Sequence, residues 1–241
     1  MTRAAGSGPR LLRALAFALL AASAAAGCAS GGGTSAPEDF DPDLGVNDPA
    51  LVVAMGDSIT FGLGDAGVDS CDERFRIRAG FCPRLQQLTG KIVLNEGACG
   101  ERSRDAASRI REVLQRWQPG VILIDYTPND LFEGTNAVIG NLRLMISVAR
   151  RNKTVPVLGT LVPAAGEHEG WEPFIESVNA RIRALCLEEG IECADHWRAF
   201  TEDPAFAANP FALLNEDGLH PNAAGYSLMA RTWRWALLRV Y

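Results

Sequence analysis

From residue 50 onward, short apolar runs alternate with amphipathic segments. The run from Leu51 to Met55 is followed by Gly-Asp-Ser, a pattern typical of a buried strand that stops at a tight turn. Further strands are predicted at Lys91 to Asn95, Val121 to Tyr126, Val155 to Leu161 and Ile191 to Ala194. The third of these runs is almost continuously apolar, which indicates a sheet covered on both faces.

Helices are predicted between these strands. From Arg102 to Trp117, apolar residues recur at steps of three and four, so one face of the segment is apolar. The other predicted helices lie near Pro83 to Leu88, Thr135 to Arg151, Glu172 to Glu189 and Pro221 to Arg239. Alternating strands and helices with short links predict an α/β domain with a doubly wound parallel sheet. In such folds a ligand binds outside the carboxyl ends of the strands.

The N-terminus indicates export. Three arginines precede the apolar stretch from Ala14 to Ala26, which is shorter than the roughly 20 residues of a membrane span. Small residues then lead to Cys28, an arrangement that resembles a bacterial lipoprotein signal over residues 1–27. The resemblance implies that Cys28 is lipidated and becomes the mature N-terminus. An ordinary signal peptide cut near Ala26 is the alternative.

Residues 28–49 are rich in Gly, Ser, Pro and Asp, and this composition predicts a flexible tether. The folded domain is therefore expected at residues 50–241. We expect the protein to be exported and held at a membrane through lipidated Cys28, on the periplasmic or cell-surface face. If the lipid signal is not used, the protein is expected to be secreted.

The charge distribution argues against nucleic acid as a partner. The chain has a net charge of −6, whereas a nucleic-acid-binding domain usually presents a basic face. Basic residues cluster only from Arg102 to Arg116, where Glu101, Asp105 and Glu112 lie among them. This segment is better explained as the solvated face of a helix.

Five cysteines follow Cys28. Cys71 with Cys82, and Cys186 with Cys193, each flank a short segment and could form disulfides in an oxidising compartment, although connectivity cannot be deduced from sequence. Cys99 is left over and is expected to be a small buried residue, while its place beside Gly100 leaves a functional role open.

Ser58 is the candidate nucleophile, because it follows the first strand, and it needs a base to activate it. His168 lies in a glycine-containing loop and is expected at an exposed tip. His196 follows the last strand and is either structural or a substrate contact. His220 follows Asp217, which can turn back and hold the imidazole so that the other ring nitrogen faces a serine hydroxyl. The alternative for Asp217 and His220 is a simple turn before the last helix.

Two residues are candidates for stabilising an oxyanion. Gly100 offers a backbone N–H with no side chain in the way, and Asn129 offers a side-chain amide after the third strand. The alternative for Asn129 is an ordinary turn residue. Three scattered histidines give no metal-ligand spacing, so neither a metal nor another cofactor is expected.

Four blocks of sequence resemble the SGNH (GDSL) hydrolases, a family of lysophospholipase-like esterases, and they stand in that family's order. The blocks are Gly56 to Thr60, Asn95 to Gly100, Asn129-Asp130 and Asp217 to Pro221. The likeness extends from about Leu51 to the C-terminus. It implies a flavodoxin-like three-layer α/β/α sandwich with a central parallel sheet of about five strands.

The resemblance also implies roles for single residues. Ser58 would be the nucleophile, His220 the general base and Asp217 its orienting acid, while the oxyanion would be held by the N–H groups of Ser58 and Gly100 and the amide of Asn129. Two positions depart from the family pattern. Glycine usually stands in place of Thr127, and aspartate or asparagine commonly follows the glycine of the second block, where this chain has Glu101.

The expected activity is therefore hydrolysis of carboxylic esters, either O-acetyl groups on carbohydrate or acyl chains of lipids. Phe61 and Trp171 are candidates to line a sugar subsite or an acyl groove. One alternative is a catalytically silent binding module on the cell surface. Another is a metal-dependent phosphoesterase that uses Asp57, Asn129 and His220, which the lack of a histidine cluster disfavours.

Overall fold

The structure is a computed structural model, and it describes residues 42–126, 128–131 and 133–240. The predicted signal peptide, Cys28 and most of the predicted tether lie outside these ranges, as does Thr127. The described part of the chain contains a five-stranded, all-parallel sheet in the order β2-β1-β3-β4-β5. Its strands are Asp48–Gly56 (β1), Ile92–Gly97 (β2), Pro119–Asp125 (β3), Val155–Gly159 (β4) and Cys193–Ala194 (β5).

Helices cover both faces of this sheet. They are Ser58–Phe61 (α1), Glu73–Arg76 (α2), Phe81–Thr89 (α3), Ser103–Trp117 (α4), Thr135–Arg151 (α5), Glu172–Glu189 (α6), His196–Thr201 (α7), Pro204–Ala208 (α8) and Ala223–Leu237 (α9), with short 3-10 turns at Pro128–Asp130, Gly166–Trp171 and Pro210–Ala212. None of the helices within these described ranges is long and apolar enough to cross a membrane.

Alternate residues of the central strands face two separate layers, because successive side chains of a strand point to opposite sides. Val53 and Met55 pack into one cluster with the buried faces of α4, α5 and α6. Val52 and Ala54 pack into another with α3 and α9. Burial on both sides explains why these strands are continuously apolar, and it confirms the predicted three-layer α/β/α sandwich.

The folded part begins earlier than predicted. β1 starts at Asp48, and Asn47 is buried, with its side-chain amide donating to the carbonyl of Asn152 at 2.7 Å and to Thr154 Oγ1 at 3.1 Å. The segment just before residue 50 is therefore anchored to the domain by polar contacts, which a hydrophobicity pattern does not register.

The last helix begins at Ala223 and not at Pro221. The side chain of Asn222 accepts the N–H groups of Ala224 and Gly225 at 2.9 and 3.2 Å, which makes Asn222 the N-cap. Pro221 instead forms an isolated antiparallel bridge with Leu214. This bridge closes the loop that carries Asp217 and His220.

The cysteines pair differently from either suggestion made from sequence. Cys71 is bonded to Cys99, and Cys82, Cys186 and Cys193 are free thiols. Cys82 points into the core from the first turn of α3, and burial raises the pKa of its thiol well above the usual range. The expectation that Cys99 is an unbonded residue was wrong, since the bond joins the loop after α1 to the loop after β2.

Candidate active site

Ser58 lies at the carboxyl end of β1, at the first position of α1. The side chain of Asp57 caps this helix by accepting the N–H of Ile59 at 2.9 Å. Glycine is needed at position 56, because a Cβ there would stand 2.0 Å from Thr60 Oγ1 and 2.5 Å from the carbonyl oxygen of Asp125. The close approach of Thr60 and Asp125 to Gly56 accompanies the tight strand-to-helix turn that brings half-buried Ser58 to the end of the strand.

Ser58, His220 and Asp217 form a hydrogen-bonded line. Ser58 Oγ is 2.9 Å from His220 Nε2, and His220 Nδ1 is 2.6 Å from Asp217 Oδ2. Asp217 Oδ1 also accepts the N–H groups of Leu219 and His220 at 2.9 and 3.0 Å. These backbone bonds hold the carboxylate in a tight turn that faces the ring.

The electrostatics of Asp217 follow from this turn. Burial alone would raise the pKa of its carboxyl group, but hydrogen bonds from Leu219 N–H, the His220 ring and His220 N–H outweigh burial and lower the pKa. An ionised Asp217 can only accept a hydrogen bond, so Nδ1 of His220 carries the proton. Nε2 is then free to accept the hydroxyl hydrogen of Ser58.

The turn depends on Gly218, which has a φ of +68°. A Cβ at this position would lie 2.0 Å from the carbonyl oxygen of Ala165, whose own N–H donates to the carbonyl oxygen of Gly218 at 2.8 Å. The loop before the Gly166–Trp171 turn therefore packs directly against the loop that carries His220, and only glycine fits the contact.

The three candidate oxyanion donors come from neighbouring strands. Gly56, Gly97 and Asp125 lie side by side in the sheet register, and Ser58, Gly100 and Asn129 each follow one of these strand ends. Asn129 Nδ2 donates one hydrogen to the carbonyl oxygen of Glu101 at 3.1 Å, which leaves its second hydrogen available. Among the described residues, no intramolecular acceptor faces the N–H groups of Ser58 or Gly100.

The loop of Asn129 is tied to α4 through the neighbouring residue. Asp130 is fully buried, and its carboxylate accepts the backbone N–H of Ser103 at 3.1 Å and the Ser103 hydroxyl at 3.0 Å. A carboxylate at the first turn of a helix also interacts favourably with the helix dipole. Asp130 thus holds the loop after β3 against the helix that follows β2.

Of the other two histidines, His168 differs from what the sequence suggests, and His196 takes the structural one of its two predicted roles. His168 is half-buried, and its Nδ1 lies 2.7 Å from the carbonyl oxygen of Asp217, so it contacts the loop of the candidate site and is not an isolated exposed tip. His196 is fully buried with its ring edge-on to Trp233 at 4.8 Å, and desolvation lowers its pKa to about 3. A substrate cannot reach His196, so its role is structural.

Two aromatic residues were expected to line the substrate groove. Phe61 is buried and packs with Val68 and Ala79 beneath the loop after α1, so it does not line a groove. Trp171 is half-buried, packs against the core, and its ring lies edge-on to His168 at 4.4 Å. Trp171 therefore lies one contact away from the loop of Asp217.

A cavity of about 390 Å³ adjoins Asp217. Its lining includes Leu63, Asp65, Asp69 and Asn215. A larger cavity of about 540 Å³ is lined by Val155 and Ile191, which precede or begin strands, so it lies at the opposite edge of the sheet from Ser58. Of these two cavities, the smaller one adjoins the hydrogen-bonded line through Asp217, and neither Ser58 nor His220 is among its lining residues. No group of three His, Cys, Asp or Glu side chains in the described ranges is arranged to hold a metal ion.

A parallel α/β/α sandwich with a serine at the carboxyl end of its first strand, hydrogen-bonded to a histidine, defines a class of hydrolases. The sequence model of the GDSL-like lipase/acylhydrolase family matches residues 54–228, and the chain belongs to that family. This membership confirms the resemblance found in the sequence. No curated protein matches the chain.

Solved structures agree on the fold. A GDSL-like lipase from Bacteroides thetaiotaomicron is 25% identical with a TM-score of 0.61, over 80% of this chain and 89% of that one. A lipase/acylhydrolase from Enterococcus faecalis is 21% identical with a TM-score of 0.65, over 77% and 93%. A catalytic mutant of an acetylxylan esterase from Geobacillus stearothermophilus is 20% identical with a TM-score of 0.63, over 80% and 95%.

Proposed function

We propose that the protein is a serine carboxylic ester hydrolase. The observation that carries the proposal is the continuous line from Ser58 Oγ to His220 Nε2, 2.9 Å, and from His220 Nδ1 to Asp217 Oδ2, 2.6 Å. A serine hydroxyl is a weak nucleophile at its own pKa, and an adjacent imidazole held in the right tautomer is what activates it.

The mechanism follows from these contacts. Ser58 Oγ attacks the ester carbonyl carbon while His220 Nε2 takes the hydroxyl proton, and the resulting imidazolium is stabilised by Asp217. The tetrahedral oxyanion accepts hydrogen bonds from the N–H groups of Ser58 and Gly100 and from the Asn129 amide. The C–O bond to the alcohol then breaks, and His220 returns the proton to the leaving oxygen. Water repeats the sequence on the acyl-enzyme and releases the acid.

For the substrate, we favour a short acyl group on a polar alcohol such as a carbohydrate. Polar side chains near the loop of Asp217, including Asp69 and Asn215, support this choice, because they would disfavour a long alkyl chain beside them. The acetylxylan esterase of similar fold is consistent with it. Acyl chains of lipids are the competing substrate class, and the Bacteroides protein of similar fold is named a GDSL-like lipase.

Hydrolysis of p-nitrophenyl esters with acyl chains of two to sixteen carbons tests the proposal. We expect the wild-type protein to be fastest on the shortest esters and Ser58→Ala to be inactive on all of them. A wild type no faster than Ser58→Ala at every length would favour a silent binding module on this fold. Activity that survives in Ser58→Ala and is abolished by a chelator would favour the metal-dependent phosphoesterase class.

We also propose that the protein is exported and anchored through Cys28. The support is the sequence pattern of residues 1–27, together with the use of a disulfide, Cys71–Cys99, which persists in oxidising compartments. Metabolic labelling with a fatty-acid analogue should mark the wild-type protein and not Cys28→Ala. Equal labelling of the two proteins would show that Cys28 is not the attachment site.

A further inference from the structure

The side chain of Glu101 lies in a polar network beneath the candidate oxyanion donors. Its carboxylate is only 11% exposed. Arg109 donates to it through Nε and Nη2, both at 2.7 Å, and the hydroxyl of Tyr126 donates to its Oε2. A carboxylate this buried is stable only when it is paired and hydrogen-bonded, and here both conditions are met.

Arg109 connects this carboxylate to the framework of the fold. Its guanidinium also donates to the carbonyl oxygen of Glu96 at 2.9 Å and to Glu96 Oε2 at 3.2 Å, and Glu96 Oε1 accepts Trp117 Nε1 at 2.7 Å. The network therefore joins β2, α4 and the end of β3. Burial alone would lower the pKa of Arg109, but contacts with Glu101, Tyr126 and Glu96 outweigh it, so the guanidinium stays charged.

The backbone of Glu101 touches both loop donors. Its amide group is bonded to Gly100, and its carbonyl oxygen accepts Asn129 Nδ2 at 3.1 Å. Gly100 has a φ of +75°, and a Cβ at this position would meet no described residue within 4 Å other than its own neighbours in the chain. Open space on that side of Gly100 leaves its neighbours to hold the loop: Cys99 is bonded to Cys71, and the Glu101 N–H donates to the carbonyl oxygen of Ala98 at 3.0 Å.

We propose that Glu101 is a positioning residue for the oxyanion site. Its carboxylate, held by Arg109 and Tyr126 (together the Glu101 clamp), fixes the Gly100 N–H and the Asn129 amide at the spacing that a tetrahedral oxyanion requires. Arg109 has a second effect, because it balances the negative charge of Glu101 that would otherwise oppose an oxyanion nearby. This inference rests on the proposed ester hydrolysis. It assigns a role to one of the two positions where the sequence departs from the family pattern.

Steady-state kinetics on p-nitrophenyl acetate test the clamp. Complete loss of one oxyanion donor lowers kcat by about 10²–10³. In Glu101→Ala both donors are still present but displaced, so the loss of kcat should be smaller, about 10- to 100-fold. KM should change by no more than about twofold, because the donors bind the uncharged carbonyl of the bound ester less strongly than they bind the oxyanion. Glu101→Gln keeps the shape but only one of the two acceptor oxygens, and its NH2 group would face a donor of Arg109 or Tyr126, so its kcat should lie between those of Glu101→Ala and the wild type. Unchanged kcat in Glu101→Ala would overturn the proposal.

Glu189→Ala is the matched control. Glu189 is 18% exposed and is held by two arginines, Arg143 and Arg150, but it lies at the end of α6. We expect its loss to leave kcat unchanged. If Glu101→Ala does not fold, Tyr126→Phe still tests the clamp, because it removes a donor to the Glu101 carboxylate, and an unchanged kcat in Tyr126→Phe counts against the proposal.

A double-mutant cycle separates positioning from a merely structural role. If Glu101 acts through Asn129, Glu101→Ala should cost less kcat in an Asn129→Ala background than in the wild type. Full additivity would overturn the proposal. Active-site titration counts the catalytically competent molecules of each variant. Dividing the rate by this count gives kcat values that do not depend on how much of the protein is folded.

A measurement without turnover distinguishes failure of the clamp from failure of the proposed activity. In ¹H–¹⁵N spectra, Tyr126→Phe, which keeps the ring and is remote in sequence from Gly100, should shift the resonances of the Gly100 amide and of the Asn129 side-chain amide, while Glu189→Ala should not. Unshifted resonances would refute the clamp even in an active esterase. If the wild type hydrolyses no ester but these resonances shift, the proposed function fails and the positioning by Glu101 stands.

Discussion

His196 should make the protein sensitive to acid. The side chain is fully buried, and neither of its ring nitrogens has a hydrogen-bond partner among the described residues. Desolvation lowers its pKa from the ordinary 6.5 to about 3. Between these two pH values the unfolded chain binds a proton at this residue and the folded chain does not. The free energy of unfolding therefore falls as the pH is lowered from 6.5 to about 3.

The magnitude follows from the size of the shift. Each pH unit within this window is worth about 1.4 kcal/mol, so His196 should remove about 2 kcal/mol of stability at pH 5 and about 3 kcal/mol at pH 4. The full effect below the folded-state pKa is roughly 5 kcal/mol. That is a large share of the stability of an ordinary domain, about 5–15 kcal/mol.

The assay is urea unfolding of the wild type and of His196→Leu at pH 7, 6, 5 and 4. Leucine is apolar and of similar volume, and it leaves no unpaired nitrogen, so the two proteins should differ little at pH 7. The stability of the variant relative to the wild type should then grow by about 1.4 kcal/mol per unit as the pH falls. Asp125, whose pKa is raised by burial and by Asp57, contributes an opposite slope to both proteins and cancels in the difference. A difference that is the same at pH 7 and pH 4 would refute the reasoning.

Three further predictions concern the site and its loops. Asn129→Ala should lower kcat on p-nitrophenyl acetate by about 10²–10³ with little change in KM, and unchanged kcat would exclude its amide from the oxyanion site. Reduction of the Cys71–Cys99 bond, which spans a sequence separation of 28, should lower the free energy of unfolding by about 3–4 kcal/mol, measured by urea unfolding with and without reductant. Gly218→Ala should lose far more activity than Gly100→Ala, because both have positive φ but only the former drives a Cβ into backbone; equal losses would contradict this.

Elements with a strong local pattern could be predicted from sequence. The apolar run before Ser58 and the glycine at position 56 encode the first strand and its turn, since each feature acts within a few residues. The bounds of α5 and α6 were also predicted correctly, at Thr135–Arg151 and Glu172–Glu189. Each of these helices packs an apolar face against the sheet, so the helical spacing of its apolar residues is visible in the sequence.

Features that depend on distant residues could not be predicted. β5 has only two residues and pairs with β4 alone, so the strand predicted from Ile191 to Ala194 is only half formed. The disulfide partner of Cys71 is set by how two loops meet, and proximity in sequence favoured Cys82 wrongly. His196 is buried by Trp233 of the last helix, a contact made by no residue near it in the chain.

The candidate site shows the same division. The Asp217–His220 spacing indicates a local turn, and this turn is present, with the carboxylate and the ring 2.6 Å apart. No local sequence pattern predicts the Glu101 clamp, because Glu101, Arg109 and Tyr126 come from three separate parts of the fold. A carboxylate after Gly100 was visible only as a departure from the family pattern, and its meaning depends on the arginine that neutralises it.

The most direct test is to identify the residue that reacts with a reagent specific for activated serines. A fluorophosphonate transfers its phosphonyl group to a serine only when a base has activated it. Peptide mapping by mass spectrometry should find the adduct on Ser58, absent in Ser58→Ala and formed at least about 10²-fold more slowly in His220→Ala. An adduct on another residue, or labelling of His220→Ala at the wild-type rate, would contradict the central claim that His220 activates Ser58.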